Sequence, residues 1–220
     1  MNLLEAALRR IASDLQRHHR RWALVGGFAV SARAEPRFTR DIDAAVMVEN
    51  DADAEGLVRA LIADGYELLA AVEQNETGRL ATVRLSSPPG GDVVVDLLFA
   101  SSGIEPEIAR SAEPTEIVPG LTLPIATTGH LIALKLLARD DQSRPQDLAD
   151  LRALRAVASP DDLAAADRAA RLISSRGFNR GRDLTDALKK SGNPLTGRPT
   201  TDRPGLILAD QTLSQSPANV

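Results

Sequence analysis

Leu3, Leu4, Ala7, Leu8, Ile11 and Leu15 recur at three- and four-residue steps with arginines between them, which predicts an amphipathic helix over residues 2–20. An apolar run over 22–25 stops at Gly26-Gly27, and helix formers resume over 28–33, so the pattern reads as strand, glycine turn, helix. Over 41–48 the apolar Ile42, Ala44, Val46 and Val48 alternate with Asp41, Asp43, Ala45 and Met47, the period of a strand. A helix over 54–64, closed by Gly65, precedes a strand near 66–72. Two further strands, 81–85 and 93–99, flank a turn at 86–91 built from Ser-Ser-Pro-Pro-Gly-Gly.

Beyond residue 104 the chain reads as proline-punctuated loops with one short apolar run at 121–125. Helical periodicity returns over 127–139 and over 145–157, where Pro145 takes the first-turn position that proline tolerates. Residues 161–174 and 182–190 are further helices. From Ser191 onward Gly, Pro, Thr, Ser and Asn dominate, and a flexible or docking tail is expected. The expected organisation is therefore an α/β (α+β) unit over 1–120 with a small mixed sheet, a helical unit over 121–190, and a tail over 191–220.

The 220 residues are 43% apolar and 25% charged, enough for an ordinary globular core, and with aromatics at 3% that core must be aliphatic. There is no cysteine, which removes thiolate metal sites, cysteine nucleophiles and disulfides together. No stretch approaches the roughly 18 consecutive apolar residues of a membrane span, so a cytoplasmic chain without a membrane partner is expected. The net charge of −4 speaks against a nucleic-acid partner until it is divided along the chain. Residues 1–40 carry eight basic and three acidic groups, 41–130 carry four and sixteen, and 131–190 carry twelve and nine. An acidic middle thus lies between two basic flanks that are available to meet a polyanion. Most cations are arginine, and Lys135 is the only lysine before residue 189.

The chemistry concentrates in Gly26-Gly27 followed by Thr39-Arg40-Asp41-Ile42-Asp43. Strand residues two apart share a face, so Asp41 and Asp43 present adjacent carboxylates, a repulsive arrangement unless a cation sits between them. Hard oxygen donors of this kind suit Mg²⁺, with Mn²⁺ as the alternative ion. Asp96, inside the apolar run 93–98, is a third carboxylate on a strand expected to be central, where an unpaired acid is costly. Three acids converging on one sheet form the ligand set of a two-metal phosphoryl transfer. Gly26 and Gly27 let backbone N–H groups approach phosphate, with Ser31 and Arg33 one turn further on as added donors. By contrast, His18-His19 beside Arg20-Arg21 reads as a solvated, dipole-favoured helix end. Arg9, Arg10, Arg17, Arg20 and Arg21 read first as a solvated face and second as a nucleic-acid track.

This order of strand, Gly-Gly, helix, Asp-x-Asp strand and third acidic strand resembles the polymerase β-like nucleotidyltransferase superfamily. The form with Gly27, and with Thr39 leading into Asp41-Ile42-Asp43, is similar to the AbiEii/AbiGii type of nucleotidyltransferase toxins, a group that includes the mycobacterial MenT toxins. Lys135-Leu136-Leu137-Ala138-Arg139, followed by Arg144-Pro145-Gln146-Asp147-Leu148-Ala149-Asp150-Leu151, matches that family's later motif. It departs from the motif at Gln146, where a basic residue is common, and at Ala149, where an aromatic is common.

The resemblance implies a nucleotidyltransferase domain over 1–120 with a helical domain closing its cleft. Asp41, Asp43 and Asp96 would be metal ligands, with Asp96 also the candidate base. Lys135 would contact the triphosphate with Arg139 beside it, and Asp147 or Asp150 would orient Lys135 or touch the nucleotide. It further implies an NTP as substrate, a tRNA 3′ acceptor end as acceptor, and a cognate antitoxin protein as partner. Transfer to an antibiotic or to a protein, and a non-catalytic nucleotide-binding module, are the competing readings.

Overall fold

A computed structural model describes residues 3–75, 77–88, 93–139 and 145–191. Residues 192–220 of the tail expected over 191–220, residues 89–91 of the turn at 86–91, and Arg144 lie outside the described residues. The chain runs α1 (Leu3–Arg17), β1 (Trp22–Val25), α2 (Gly26–Arg33), β2 (Asp41–Val46), α3 (Asp51–Ala63), β3 (Glu67–Glu73), β4 (Leu80–Ser86), β5 (Val94–Leu98), α4 (Glu105–Ser111), β6 (Glu113–Val118), β7 (Leu121–Ile125), α5 (Thr128–Ala138), α6 (Pro145–Val157), α7 (Pro160–Ser175) and α8 (Leu184–Lys190). The fold is α/β, as the periodicity predicts.

All the described strands join one mixed sheet in the order β3-β4-β5-β2-β1-β7-β6. β2 runs parallel to β5 and β1 parallel to β7, and the other neighbours are antiparallel. The central strands are buried at Leu24, Ile42, Ala44, Val46, Val95 and Leu97, which makes the core aliphatic. α2 and α4 pack on β1 and β2, while α5 packs against α6, α7, α8 and α2.

Three local expectations are corrected. The glycines are not a separate turn, because α2 begins at Gly26 itself, with φ +61° at that residue. The loops expected after residue 104 contain a helix and a strand. α4 is only seven residues long with Pro106 in its first turn, and β6 carries Pro114, which an edge strand accommodates. Elements that short and proline-marked offer little periodicity to read. Finally, the boundary expected at 120/121 falls on the tip of the β6–β7 hairpin. β7 is bonded into the sheet beside β1, so the sheet extends to Ile125 and the helices start at Thr128.

Candidate active site

Strand register builds one side of the site. Val25 of β1 pairs with Asp43 of β2, Asp43 with Asp96 of β5, and Asp96 with Arg84 of β4. Register partners project from the same face, so four adjacent strands contribute one transverse row ending in an acid pair and an arginine. Asp41, two residues before Asp43, shares that face. The row opens into a cleft of about 530 Å³, whose walls include Gly26, Gly27, Arg37, Asp41, Asp43, Arg84, Asp96, Lys135 and Asp147.

The glycines make this approach possible. A Cβ on Gly26 would lie 1.9 Å from Asp43 Oδ2, and the residue sits in the left-handed region. Any side chain here would collide with the carboxylate and strain the backbone. Asp43 pays electrostatically for its position: burial, then the charges of Asp96 and Asp41, push its carboxyl up to about 6 against the opposing influence of Lys135 and Arg37.

The facing wall carries cations. Lys135 on α5, with a side chain only 11% exposed, reaches Asp147 Oδ1 and Asp150 Oδ2 on α6, both at 2.7 Å. The two aspartates, equivalent in the sequence, are separated here by role. Asp147 lines the cleft, whereas Asp150, with a side chain 1% exposed, is the buried hub behind it. Asp150 accepts from Lys135, from Gln146 Nε2 at 2.9 Å and from Arg37 Nη2 at 3.0 Å. Burial pushes its pKa up, but these hydrogen bonds and the Lys135 and Arg37 charges outweigh burial, so Asp150 titrates below the usual carboxylate range. Gln146, the departure from the usual basic residue, therefore still serves as a donor.

Several predicted residues are placed elsewhere. Ser31 Oγ donates to the Gly27 carbonyl at 3.0 Å and accepts from the Arg37 backbone N–H at 3.2 Å, so it braces a loop rather than facing the cleft. Arg33 donates to the carbonyls of Ala126 and Ile125 and pairs with Glu113 at 2.7 Å, tying α2 to the β7–α5 junction. Arg139 ends α5, outside the cleft lining, where its carbonyl accepts from Arg182. Conversely, Arg37, Arg84 and Arg180 line the cleft and carry no motif that spacing alone reveals. The one available signal for Arg37 was its place four residues before Asp41.

Asp96, expected as a third metal ligand, is engaged by an arginine in this structure. Arg84 donates to both its oxygens, Nε to Oδ1 at 2.8 Å and Nη2 to Oδ2 at 2.7 Å, so this buried acid is paired by a neighbouring strand. Among the described residues no group of three or more His, Cys, Asp or Glu side chains is arranged to hold an ion. The donor set fits an ion resting on Asp41 and Asp43 with water and phosphate oxygens completing its shell, and Asp96 stands outside that set while Arg84 holds it.

The basic N-terminal flank is also largely accounted for. Arg9 pairs with Glu5, Arg10 and Arg17 with Asp14, His18 with Asp64 at 2.7 Å and Arg20 with Asp53 at 2.7 Å. Acids of the middle segment thus neutralise part of the flank that the linear charge pattern left open to a polyanion. Among the described residues no helix is long and apolar enough to cross a membrane.

An acid pair facing a lysine clamp beside a glycine-opened helix start is an arrangement for handling phosphoanhydrides, and the class it defines is that of the nucleotidyltransferases. The profile of the family described as nucleotidyl transferase AbiEii toxin, type IV TA system, matches residues 7–211, and the chain belongs to that family. It is a nucleotidyltransferase enzyme. No curated protein matches the sequence significantly. Among solved structures, an antigenic nucleotidyltransferase-like protein from Paracoccidioides brasiliensis is 17% identical, with a TM-score of 0.49 over 84% of this chain and 92% of that one. The lincosamide antibiotic adenylyltransferase LnuA is 14% identical, with 0.46 over 72% and 100%. The antibiotic-resistance factor ANT(2'')-Ia is 17% identical, with 0.45 over 86% and 94%. Similarity at that level bears on neither substrate nor mechanism.

Proposed function

We propose that this chain transfers NMP from an NTP to the terminal hydroxyl of a tRNA 3′ acceptor end, in a Mg²⁺-dependent reaction, as the cytoplasmic toxin of a toxin–antitoxin pair with a cognate antitoxin as partner. The observation that carries the transfer chemistry is the cleft itself, in which Asp41 and Asp43 face Lys135 across a gap opened by Gly26. In this reading the sheet and its flanking helices bind the nucleotide, and α5 to α8 close over it.

The acceptor oxygen attacks the α-phosphorus, the bond from that phosphorus to the bridging oxygen breaks, and pyrophosphate leaves with the electron pair. Asp41 and Asp43 would hold the divalent ion, Mg²⁺ or Mn²⁺, which would supply charge neutralisation at the phosphoryl oxygens. Lys135 offers its ammonium to the triphosphate as a point charge, oriented by Asp147 and Asp150. The acceptor proton passes to a carboxylate of the row, and Asp96 can take it only after leaving Arg84.

The test supplies labelled NTPs together with total tRNA, with aminoglycosides or with candidate partner proteins. Label is expected in tRNA, and Asp41→Ala or Asp43→Ala should lower transfer by roughly 10³-fold or more while the fold persists. Label in a drug or protein instead of tRNA would reassign the acceptor. Full activity in either variant would remove the mechanism.

A further inference from the structure

Arg37 lies outside every motif that marks this site, yet its guanidinium rests against the first turn of α2. A Cβ on Gly27 would come within 2.6 Å of Arg37 Nη2 and 2.8 Å of Thr39 Oγ1, so the space that a side chain at residue 27 would take is already filled by Arg37 and Thr39. The α2 N-terminus has no side-chain cap: Val25 occupies the capping position and can accept nothing from it. A cation beside the positive end of a helix dipole favours anions, and here the Asp150 carboxylate already supplies one.

The arginine is also held in advance. Nη2 donates to Asp150 Oδ2 at 3.0 Å, Nε lies 2.8 Å from Asp150 Oδ1 as an ion pair without a hydrogen bond, and Nη1 donates to the Phe38 carbonyl at 3.2 Å. Ser31 Oγ accepts from the Arg37 backbone N–H while donating to the Gly27 carbonyl, which ties the arginine's loop to the helix start. A guanidinium has five N–H donors, so one remains on each of Nη1 and Nη2 while Asp150 and Phe38 keep their bonds. Arg37 lines the same cleft as Gly26, Gly27 and Lys135.

We infer that Arg37 binds the terminal phosphates of the NTP, replacing with a guanidinium the side chain that Gly27 lacks, and that Ser31 and Asp150 are its positioning residues. This rests on the nucleotidyltransferase reading of the cleft and adds to it a determinant of triphosphate over monophosphate selectivity. Preorganised charge-assisted bonds to phosphate are among the stronger hydrogen bonds available to a protein.

The experiment is calorimetric titration of the full chain with each NTP and its NMP in Mg²⁺, for the wild type, Arg37→Gln, Arg37→Lys and Ser31→Ala. Arg37→Gln should weaken NTP binding roughly 10- to 100-fold and NMP binding by less than about 3-fold, as expected for a lost contact to the outer phosphates alone. Arg37→Lys keeps a cation on Asp150 and so guards against misfolding. It should still lose roughly 5- to 10-fold in NTP affinity, because a lysine cannot reproduce the fork. Ser31→Ala should give a smaller loss of the same selectivity. Equal losses for NTP and NMP would assign Arg37 a purely structural role, and unchanged NTP binding in both Arg37 variants would overturn the inference with the cleft reading intact. If the wild type itself binds no NTP, the cleft reading falls and this inference with it.

Discussion

The first helix and the cleft are both crowded with charge, and they treat it in opposite ways. Along α1 each charge finds a complementary partner. Arg9 meets Glu5 and the carbonyls of Pro119 and Gly120, and Arg10 and Arg17 converge on Asp14, which also accepts from Tyr66. In the cleft, strand register places Asp43 beside Asp96 with Asp41 two residues away, and like charges crowd until one carboxyl is pushed up to about 6. The surface arrangement adds modest stability, and the cleft arrangement subtracts it. A charge cluster that works against the fold, held in place by register and by a glycine with no room for a side chain, is where chemistry is to be sought.

That contrast can be broken from either side. The largest effect is expected at Asp43. Its folded pKa lies above the ordinary value of 3.8, so the folded state disfavours its ionised form. The resulting cost is absent near pH 4, grows as pH rises, and is complete above about 6. Asp43→Asn should therefore abolish transfer yet stabilise the metal-free protein by about 1–3 kcal/mol at pH 7.5, with the two melting curves converging near pH 4. A variant that melts at or below the wild-type temperature at pH 7.5 would show that the acid row is not under electrostatic stress.

Asp14 is the corresponding hub on α1, buried and accepting from Arg10, Arg17 and Tyr66. Asp14→Ala should destabilise by about 1–3 kcal/mol, since it leaves a buried phenol without its acceptor and leaves Arg10 and Arg17 with Asp64 as acceptor. Nucleotide transfer at a temperature where the variant is folded should be unchanged. The smallest effect belongs to Arg9→Ala, which removes a partly exposed i,i+4 pair. Chemical denaturation should register a change below about 1 kcal/mol. An equal loss at Arg9 and Asp14 would mean that the part-exposed pair matters to the fold as much as the buried hub.

Much of the scaffold follows from local order in the chain. Period-3.6 runs specify α1, α5 and α7, and alternation places Asp41 and Asp43 on one face of β2, because both patterns depend only on neighbours along the backbone. The scarcity of lysine singled out Lys135 for the same reason: composition is visible without coordinates. α4 and β6 escaped because seven and six residues interrupted by proline carry too little periodicity to separate from loop.

The partners of those residues were not legible, since each depends on contacts between positions far apart in sequence. Asp96 is paired by Arg84 only because β4 and β5 lie antiparallel in that register, and a one-residue slip would turn the arginine to the other face. One turn into a helix, Ser31 and Arg33 have the sequence position of phosphate donors, but the packing of α2 on its loop and on the β7–α5 junction turns them into braces. Arg37 takes the space that Gly27 leaves, a contact that spacing along the chain does not encode. By itself, then, the sequence determined which elements form and which residue types carry the chemistry, through short-range periodicity and steric permission. Only the tertiary structure decided which acids are paired by arginines and which cations face the cleft, because long-range register and packing set the distances on which electrostatics acts.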